Sequence, residues 1–205
     1  MNILFTICGR KNSKGIKNKN YKQFLGYPLP YYTLSVIDLF KKEHNELQID
    51  VVVNSDSEKL IDIMKKNPFF KIDTIMRDGI LGGDAVPKPK VIFDCLDKMQ
   101  KRTNKDYDMV LDLDITSPLR RVTDIQNVIR IQLESGADVT TTITDARRNP
   151  YFNMVRRTNK GFKKIFESDF TARQQAPEVF DMNASIYAYK PDFLKTGKGV
   201  LDGYC

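Results

Sequence analysis

A chain of 205 residues, 41% of them hydrophobic, is long enough to bury one substantial core and has no internal repeat or low-complexity linker, so a single domain is expected. Its 33 Lys and Arg against 26 Asp and Glu give a formal net charge of +7, a bias that suits an anionic ligand without identifying it and leaves nucleic acid open. No apolar run approaches the roughly 18 residues of a membrane helix, and polar and charged residues begin at Asn2 and Arg10; neither a membrane span nor a signal peptide is expected, and a cytoplasmic location follows.

Asn2–Ile7 is the first expected strand, and it runs into a loop, Cys8 to Asn20, crowded with Gly, Asn and cations. Gly9 and Gly15 free the backbone to turn successive N–H groups inward as an anion-binding nest, while Arg10, Lys14 and Lys19 add full positive charge. A nucleoside triphosphate fits that description, although the spacing matches neither the P-loop nor Gly-x-Gly-x-x-Gly. A solvated lysine-rich surface loop has the same composition. Pro30 then opens a helix carrying Leu34, Ile37 and Phe40 on one side. The sole histidine, His44, sits among Lys41, Lys42, Glu43 and Glu46 and is expected as a solvated helix-end residue, which leaves no His-dependent acid–base chemistry.

Ile49–Val53 is the second strand, and Ser55-Asp56-Ser57-Glu58 reads as a capping box that starts a helix bearing Leu60, Ile61 and Met64. Ile72–Met76 is the third, followed by a glycine and proline loop from Arg77 to Pro89. Ile92, Cys95, Leu96 and Met99 then form an amphipathic stripe. Met109–Leu113 is an apolar strand interrupted by Asp112; Thr123-Asp124-Ile125-Gln126 caps a helix that ends near Gly136; Asp138–Thr144 is a fifth strand. Three unpatterned cysteines, Cys8, Cys95 and Cys205, speak against disulfides and a Cys-based zinc site.

Strands alternating with helices imply an α/β fold: a mostly parallel central sheet covered by helices on both faces, with ligands at the carboxyl ends of the strands. The loops Cys8–Asn20, Arg77–Pro89 and Asp114–Arg121 leave strands at that edge. From Tyr151 the pattern changes to a hairpin flanking Thr158-Asn159-Lys160-Gly161, and Ala184–Tyr189 returns as a strand. The excursion 151–176 reads as a small protruding β-hairpin arm suited to dimerisation.

Two constellations carry chemistry. Asp112 and Asp114 occupy alternate positions at a strand end, point to one face and could hold Mg²⁺ beside a triphosphate; they could also merely end the strand. Arg77, with Leu81-Gly82-Gly83-Asp84 and Lys88, offers donors and backbone acceptors for a base, or is a strand-end charge beside an ordinary turn.

The order of these blocks resembles the CMP-sialic acid synthetases (acylneuraminate cytidylyltransferases). The resemblance is carried by Gly9-Arg10-Lys11-Asn12-Ser13-Lys14-Gly15 with Lys19-Asn20, by Arg77 and Asp84, and by Leu111-Asp112-Leu113-Asp114-Ile115-Thr116-Ser117-Pro118-Leu119-Arg120. It continues through Asn149-Pro150-Tyr151-Phe152-Asn153-Met154, Arg173-Gln174-Gln175-Ala176-Pro177 and Met182-Asn183-Ala184-Ser185-Ile186-Tyr187. It implies a nucleotidyltransferase fold of GT-A-like or Rossmann-like type, a homodimer, Mg²⁺, and transfer of CMP from CTP to an acid sugar with release of pyrophosphate, without nucleic acid or membrane. Residue by residue it implies catalytic roles for Arg10, Lys14 and Lys19 and nucleotide contacts from these with Ser13, Asn20, Arg77 and Asp84. Sugar contacts fall to Asp114, Thr116, Ser117, Arg173, Gln174 and Asn183, and metal ligation to Asp112 and Asp114.

The chain departs from that pattern in having Asp114 where Gln is usual and Ile115 where Pro is usual. The family's C-terminal Asp-x-Asp metal motif would fall beyond 194–204, and Asp202 has no partner at that spacing. The expectation is a chain truncated before the motif, a metal held by Asp112 and Asp114 alone, or an impaired catalyst. A nucleotidyltransferase for another sugar or a sugar phosphate, with Lys88 and Lys90 for the extra phosphate, and a basic nucleic-acid binder remain alternatives.

Overall fold

The computed structural model describes residues 1–11, 15–83 and 86–205; Ser13, Lys14 and Asp84 lie outside the described residues. In chain order the elements are β1 (Asn2–Gly9), a ribbon of β2 (Gln23–Phe24) and β3 (Tyr27–Pro28), α1 (Leu29–Glu43), β4 (Gln48–Ser55), α2 (Glu58–Lys65), β5 (Asp73–Met76), α3 (Lys88–Thr103) and β6 (Met109–Leu113). They continue as α4 (Val122–Ser135), β7 (Val139–Asp145), the hairpin β8 (Val155–Thr158) and β9 (Gly161–Lys164), β10 (Phe180–Tyr189) and α5 (Pro191–Lys195). Two compact units result, 1–141 with 184–205, and 142–183.

In the first unit the sheet runs β5-β4-β1-β6-β10-β7. β5, β4, β1 and β6 are mutually parallel, while β10 lies antiparallel to β6 with Ile186 opposite Leu113, so the returning strand breaks the parallel rule. Because side chains alternate along a strand, β1 feeds two cores. Ile3, Phe5 and Ile7 pack with Leu34, Ile37 and Phe40 of α1, Leu60 and Met64 of α2 and Ile125 of α4. Leu4 packs on the opposite face with Ile92, Leu96 and Met99 of α3 and Phe193 and Leu194 of α5. Thr6 and Cys8 share this second face, as do Val110 and Asp112 of β6. Both helical layers expected from the alternation are therefore present.

Local signals differ from expectation in three places. Ser57, not Ser55, caps α2: its Oγ accepts the Leu60 N–H at 3.3 Å, while Ser55, still in β4, accepts the Ser57 N–H at 2.9 Å. α4 begins at Val122, before Thr123, and Asp124 acts inside the first turn by accepting the Arg121 N–H at 2.8 Å. Gly136, at φ 59°, ends that helix as expected. His44 is tied in rather than solvated, with Nδ1 3.1 Å from Glu46, Nε2 3.0 Å from Gln126 and its ring centroid 4.5 Å from that of Phe40. Among the described residues no helix is long and apolar enough to cross a membrane.

In the second unit the hairpin turns at Gly161, φ 99°, where L side chains are strained. The Tyr151 ring meets Phe166 at a tilt and Phe170 edge-on, and the Lys164 ammonium donates to the carbonyls of Ser168 at 3.0 Å and Phe170 at 3.2 Å. Phe162, Val155 and Phe166 nevertheless expose half or more of their surface.

Candidate active site

The three loops singled out in the sequence meet at the carboxyl edge of β1, β5 and β6. They enclose a cleft of about 290 Å³ lined by Cys8, Arg10, Lys19, Asn20, Arg77, Leu81, Gly83, Val86, Lys88, Val91 and Asp114. Gly9 serves this site by close packing rather than by unusual backbone: a Cβ there would collide with Leu60 Cδ2 and press on Ile115 Cδ1. The buried Asn20 side chain donates to the Arg10 carbonyl at 3.0 Å and so ties the two ends of the glycine-rich loop together. Asp56 adds an outer tether by accepting the Lys11 N–H at 2.6 Å.

Arg77 is no free strand-end charge. It is only 9% exposed; Nε donates to Asn54 Oδ1 at 2.7 Å and Nη2 to the Asn54 carbonyl at 3.0 Å. Asn54 in turn donates to Asp94 at 3.0 Å, and Asp94 pairs with Lys98 at 2.8 Å. Asn54 and Asp94 were not among the expected site residues. The available signal was an amide at the end of the apolar run Val51-Val52-Val53, the same kind of interruption that marked Asp112 in β6.

The floor is acidic. Asp112 is fully buried; its Oδ1 accepts the Thr6 hydroxyl at 2.9 Å, and its Oδ2 lies 2.6 Å from Lys88 Nζ. Lys88 also reaches Asp114 Oδ2 at 3.4 Å. Burial alone would push the Lys88 pKa down, but the carboxylates of Asp112 and Asp114 outweigh it and hold the ammonium well above its ordinary value. Burial would likewise raise Asp114, yet Lys88 and the hydrogen bonds from Thr116 leave it below the usual carboxylate range. The pair of aspartates thus forms a cation site by charge and geometry, with a lysine as its cation. Among the described residues no group of three metal-ligating side chains exists.

Thr116 and Ser117 build the turn after β6. Thr116 N–H and Oγ1 donate to Asp114 Oδ1 at 2.7 and 2.6 Å, and Ser117 N–H reaches the Asp114 carbonyl at 3.5 Å. Arg120 clamps this turn from inside, donating to the Ser185 carbonyl at 2.7 Å, Thr33 Oγ1 at 2.6 Å and the Asp114 carbonyl at 2.5 Å; burial lowers its pKa to about 10. The Cys8 thiol is pushed up by its hydrogen bond to Cys95 and by burial, which disfavours its thiolate form.

Arg173, Gln174 and Asn183 belong to the second unit. Arg173 and Gln174 line a cleft of about 470 Å³ there with Asp145, Asn149 and Glu178, and Arg173 Nη2 donates to the Ala146 carbonyl at 3.0 Å. Asn149 shapes this cleft by donating to the Pro177 carbonyl at 2.9 Å. Asn183 accepts the Thr142 hydroxyl at 2.6 Å.

Comparison with known proteins accords with this geometry. The family model described as Cytidylyltransferase matches residues 4–195. The chain is 34% identical over 202 residues to the post-translational flagellin modification protein B of Campylobacter coli, covering 97% of this chain and 82% of the relative. It is equally 34% identical, over the same shares, to a CMP-N,N'-diacetyllegionaminic acid synthase of Campylobacter jejuni. A solved CMP:2-keto-3-deoxy-manno-octonic acid synthetase complexed with CTP superposes with a TM-score of 0.63 at 14% identity, over 96% of this chain and 77% of that one, which shows a shared fold.

Proposed function

The chain belongs to the cytidylyltransferase family, and on that premise we propose that it couples CTP to a nonulosonic acid of the sialic or legionaminic type, giving the CMP-sugar and pyrophosphate. The observation that carries this reading is the cleft itself, in which two cations from the glycine-rich loop, Arg10 and Lys19, face a braced arginine, Arg77, and a carboxylate floor.

Arg10 and Lys19, with Ser13 and Lys14 of the same loop, bind the triphosphate and neutralise charge on the departing pyrophosphate. Such aimed cations stabilise the transition state more than the ground state. The sugar hydroxyl attacks the α-phosphorus in line with that leaving group, and no covalent enzyme intermediate is needed. Asn20 holds the loop, while Arg77 and Asp84 read the cytosine ring. Arg173 binds the sugar carboxylate through parallel hydrogen bonds, and Gln174 and Asn183 are further sugar contacts. Asp114 is the aspartate that reaches the cleft, Asp112 backs it, and together they would hold a divalent ion. Mg²⁺ when bound supplies Lewis-acid neutralisation of phosphate charge. The exposed Val155, Phe162 and Phe166 of the second unit support a homodimer through that unit.

Mixing the protein with each of the four nucleoside triphosphates, Mg²⁺ and a panel of acid sugars, and following pyrophosphate, tests the reading. Release confined to CTP with a nonulosonic acid is expected. Release with a sugar phosphate instead, or equal calorimetric affinity for all four nucleotides, would overturn it.

A further inference from the structure

We propose that the Lys88 ammonium is a resident substitute for the divalent cation, holding Asp112 and Asp114 closed to metal until a triphosphate draws it away. The inference rests on the reading of the cleft as a site for CTP and metal. Its basis is the placement of one side chain. Lys88 Nζ lies 2.6 Å from Asp112 Oδ2 and 3.4 Å from Asp114 Oδ2, between the two oxygens that a hard cation would use. Asp112 Oδ2 is buried and Lys88 Nζ, 2.6 Å away, is the cation that meets it, so that ammonium is its compensating charge.

Helix stability does not account for the lysine. Lys88 is the first residue of α3, where the helix dipole disfavours a cation. What holds it is the aspartate pair, together with the Tyr187 ring, whose centroid is 5.5 Å away. A third of the side chain is open to the cleft, whereas Asp112 is fully enclosed. Of the three charged groups Lys88 is the one with a flexible stem and an exit.

With Lys88 in place the pair carries one net negative charge, further reduced by the Lys19 charge that acts on Asp114. A dication gains little by entering. A triphosphate brings several negative charges to the mouth of the cleft and competes for the ammonium; once Lys88 turns to phosphate, two bare carboxylates face the metal. Nucleotide and metal therefore bind with positive coupling, and the coupling is reciprocal. Lys88 is on this account a positioning residue that sets the order of assembly.

Electron paramagnetic resonance titration of the nucleotide-free protein with Mn²⁺ tests this without turnover. The wild type is expected to bind Mn²⁺ weakly, and Lys88→Met to bind one ion more tightly by on the order of tenfold, because the competing charge is gone. Lys88→Arg, which keeps the charge, should remain weak, and adding Asp112→Asn to Lys88→Met should abolish the gain. Binding by Lys88→Met no tighter than by wild type would overturn the proposal. So would tight Mn²⁺ binding by the wild type without nucleotide, a measurement that decides the matter even if Lys88→Met fails to fold. Calorimetric titration with CTP reads the parent function separately: a gain in Mn²⁺ affinity in a protein indifferent to CTP would sustain the role of Lys88 while removing the cytidylyltransferase reading of the cleft.

Discussion

Asn54 holds Arg77 at two points, taking Nε on its side-chain oxygen at 2.7 Å and Nη2 on its backbone carbonyl at 3.0 Å. Both residues are buried, so the guanidinium is aimed before any ligand arrives. Asn54→Ala removes the side-chain bond and leaves Asp94 with Lys98 alone. Hydrogen bonds to charged groups contribute roughly 1.5–3 kcal/mol, and CTP affinity should fall on the order of tenfold with loss of preference over UTP. Calorimetry with both nucleotides checks this; unchanged discrimination would mean that Arg77 does not read the base.

Lys19 reaches the cleft from the 3-10 turn Lys19–Tyr21 and bears on Asp114. Lys19→Ala should slow turnover on the order of a hundredfold, corresponding to about 3 kcal/mol of lost charge stabilisation in the transition state. The melting temperature should hardly move, since partly exposed cations contribute little to stability. A variant with wild-type kcat, or one that unfolds, would count against a catalytic part for this residue.

Tyr107 provides a pH signature remote from the cleft. Burial first, and then the hydrogen bond to Asp50 at 2.8 Å, raise its pKa well above the usual phenol value. The folded state therefore favours the neutral hydroxyl. Its contribution to stability is complete below the unfolded pKa of about 10 and is lost as pH rises from there towards the folded value. Tyr107→Phe should cost about 1 kcal/mol at neutral pH and show a shallower alkaline loss than wild type. Urea titrations at pH 7 and at several values above 10 measure both; parallel curves would refute it.

The regularity of the fold was legible because it is local. Alternation in Ile3-Leu4-Phe5 reports two covered faces of a strand, and Leu60, Ile61 and Met64 report one face of a helix. Capping was less so: Ser55 and Ser57 are chemically equivalent in sequence, and only the length of β4 decides which of them starts α2. The carboxylates of the site were visible, Asp112 as a charge inside an apolar strand and Asp114 just past its end. Their counter-ion was not, since Lys88 reaches them by the packing of α3 against the sheet and nothing near Asp112 in the chain announces it. Asn54 escaped for the same reason, its partner Arg77 arriving from the end of the neighbouring β5.

The second unit exposes Val155, Phe162 and Phe166 within and just after its short hairpin. If that face joins two copies, Phe162→Asp should shift the mass measured by light scattering at micromolar concentration from dimer to monomer, because a desolvated charge at a small apolar contact costs several kcal/mol. A wild-type protein that is already monomeric there would dismiss the dimer.

The order of strands also bears on how the chain acquires its shape. Among the described strands β7 stands at the end of the sheet beside β10, and residues 146–179 separate the two in the chain. During synthesis β5, β4, β1 and β6 can zip together while β7 has nothing to pair with. The late strand β10 must then close a long loop and insert between β6 and β7, an entropic cost met only after the residues up to β10 have been made. The glycine-rich loop and the braced arginine are consequently assembled early. The Ser185 carbonyl that fastens Arg120, and through it the turn after Asp114, arrives with β10.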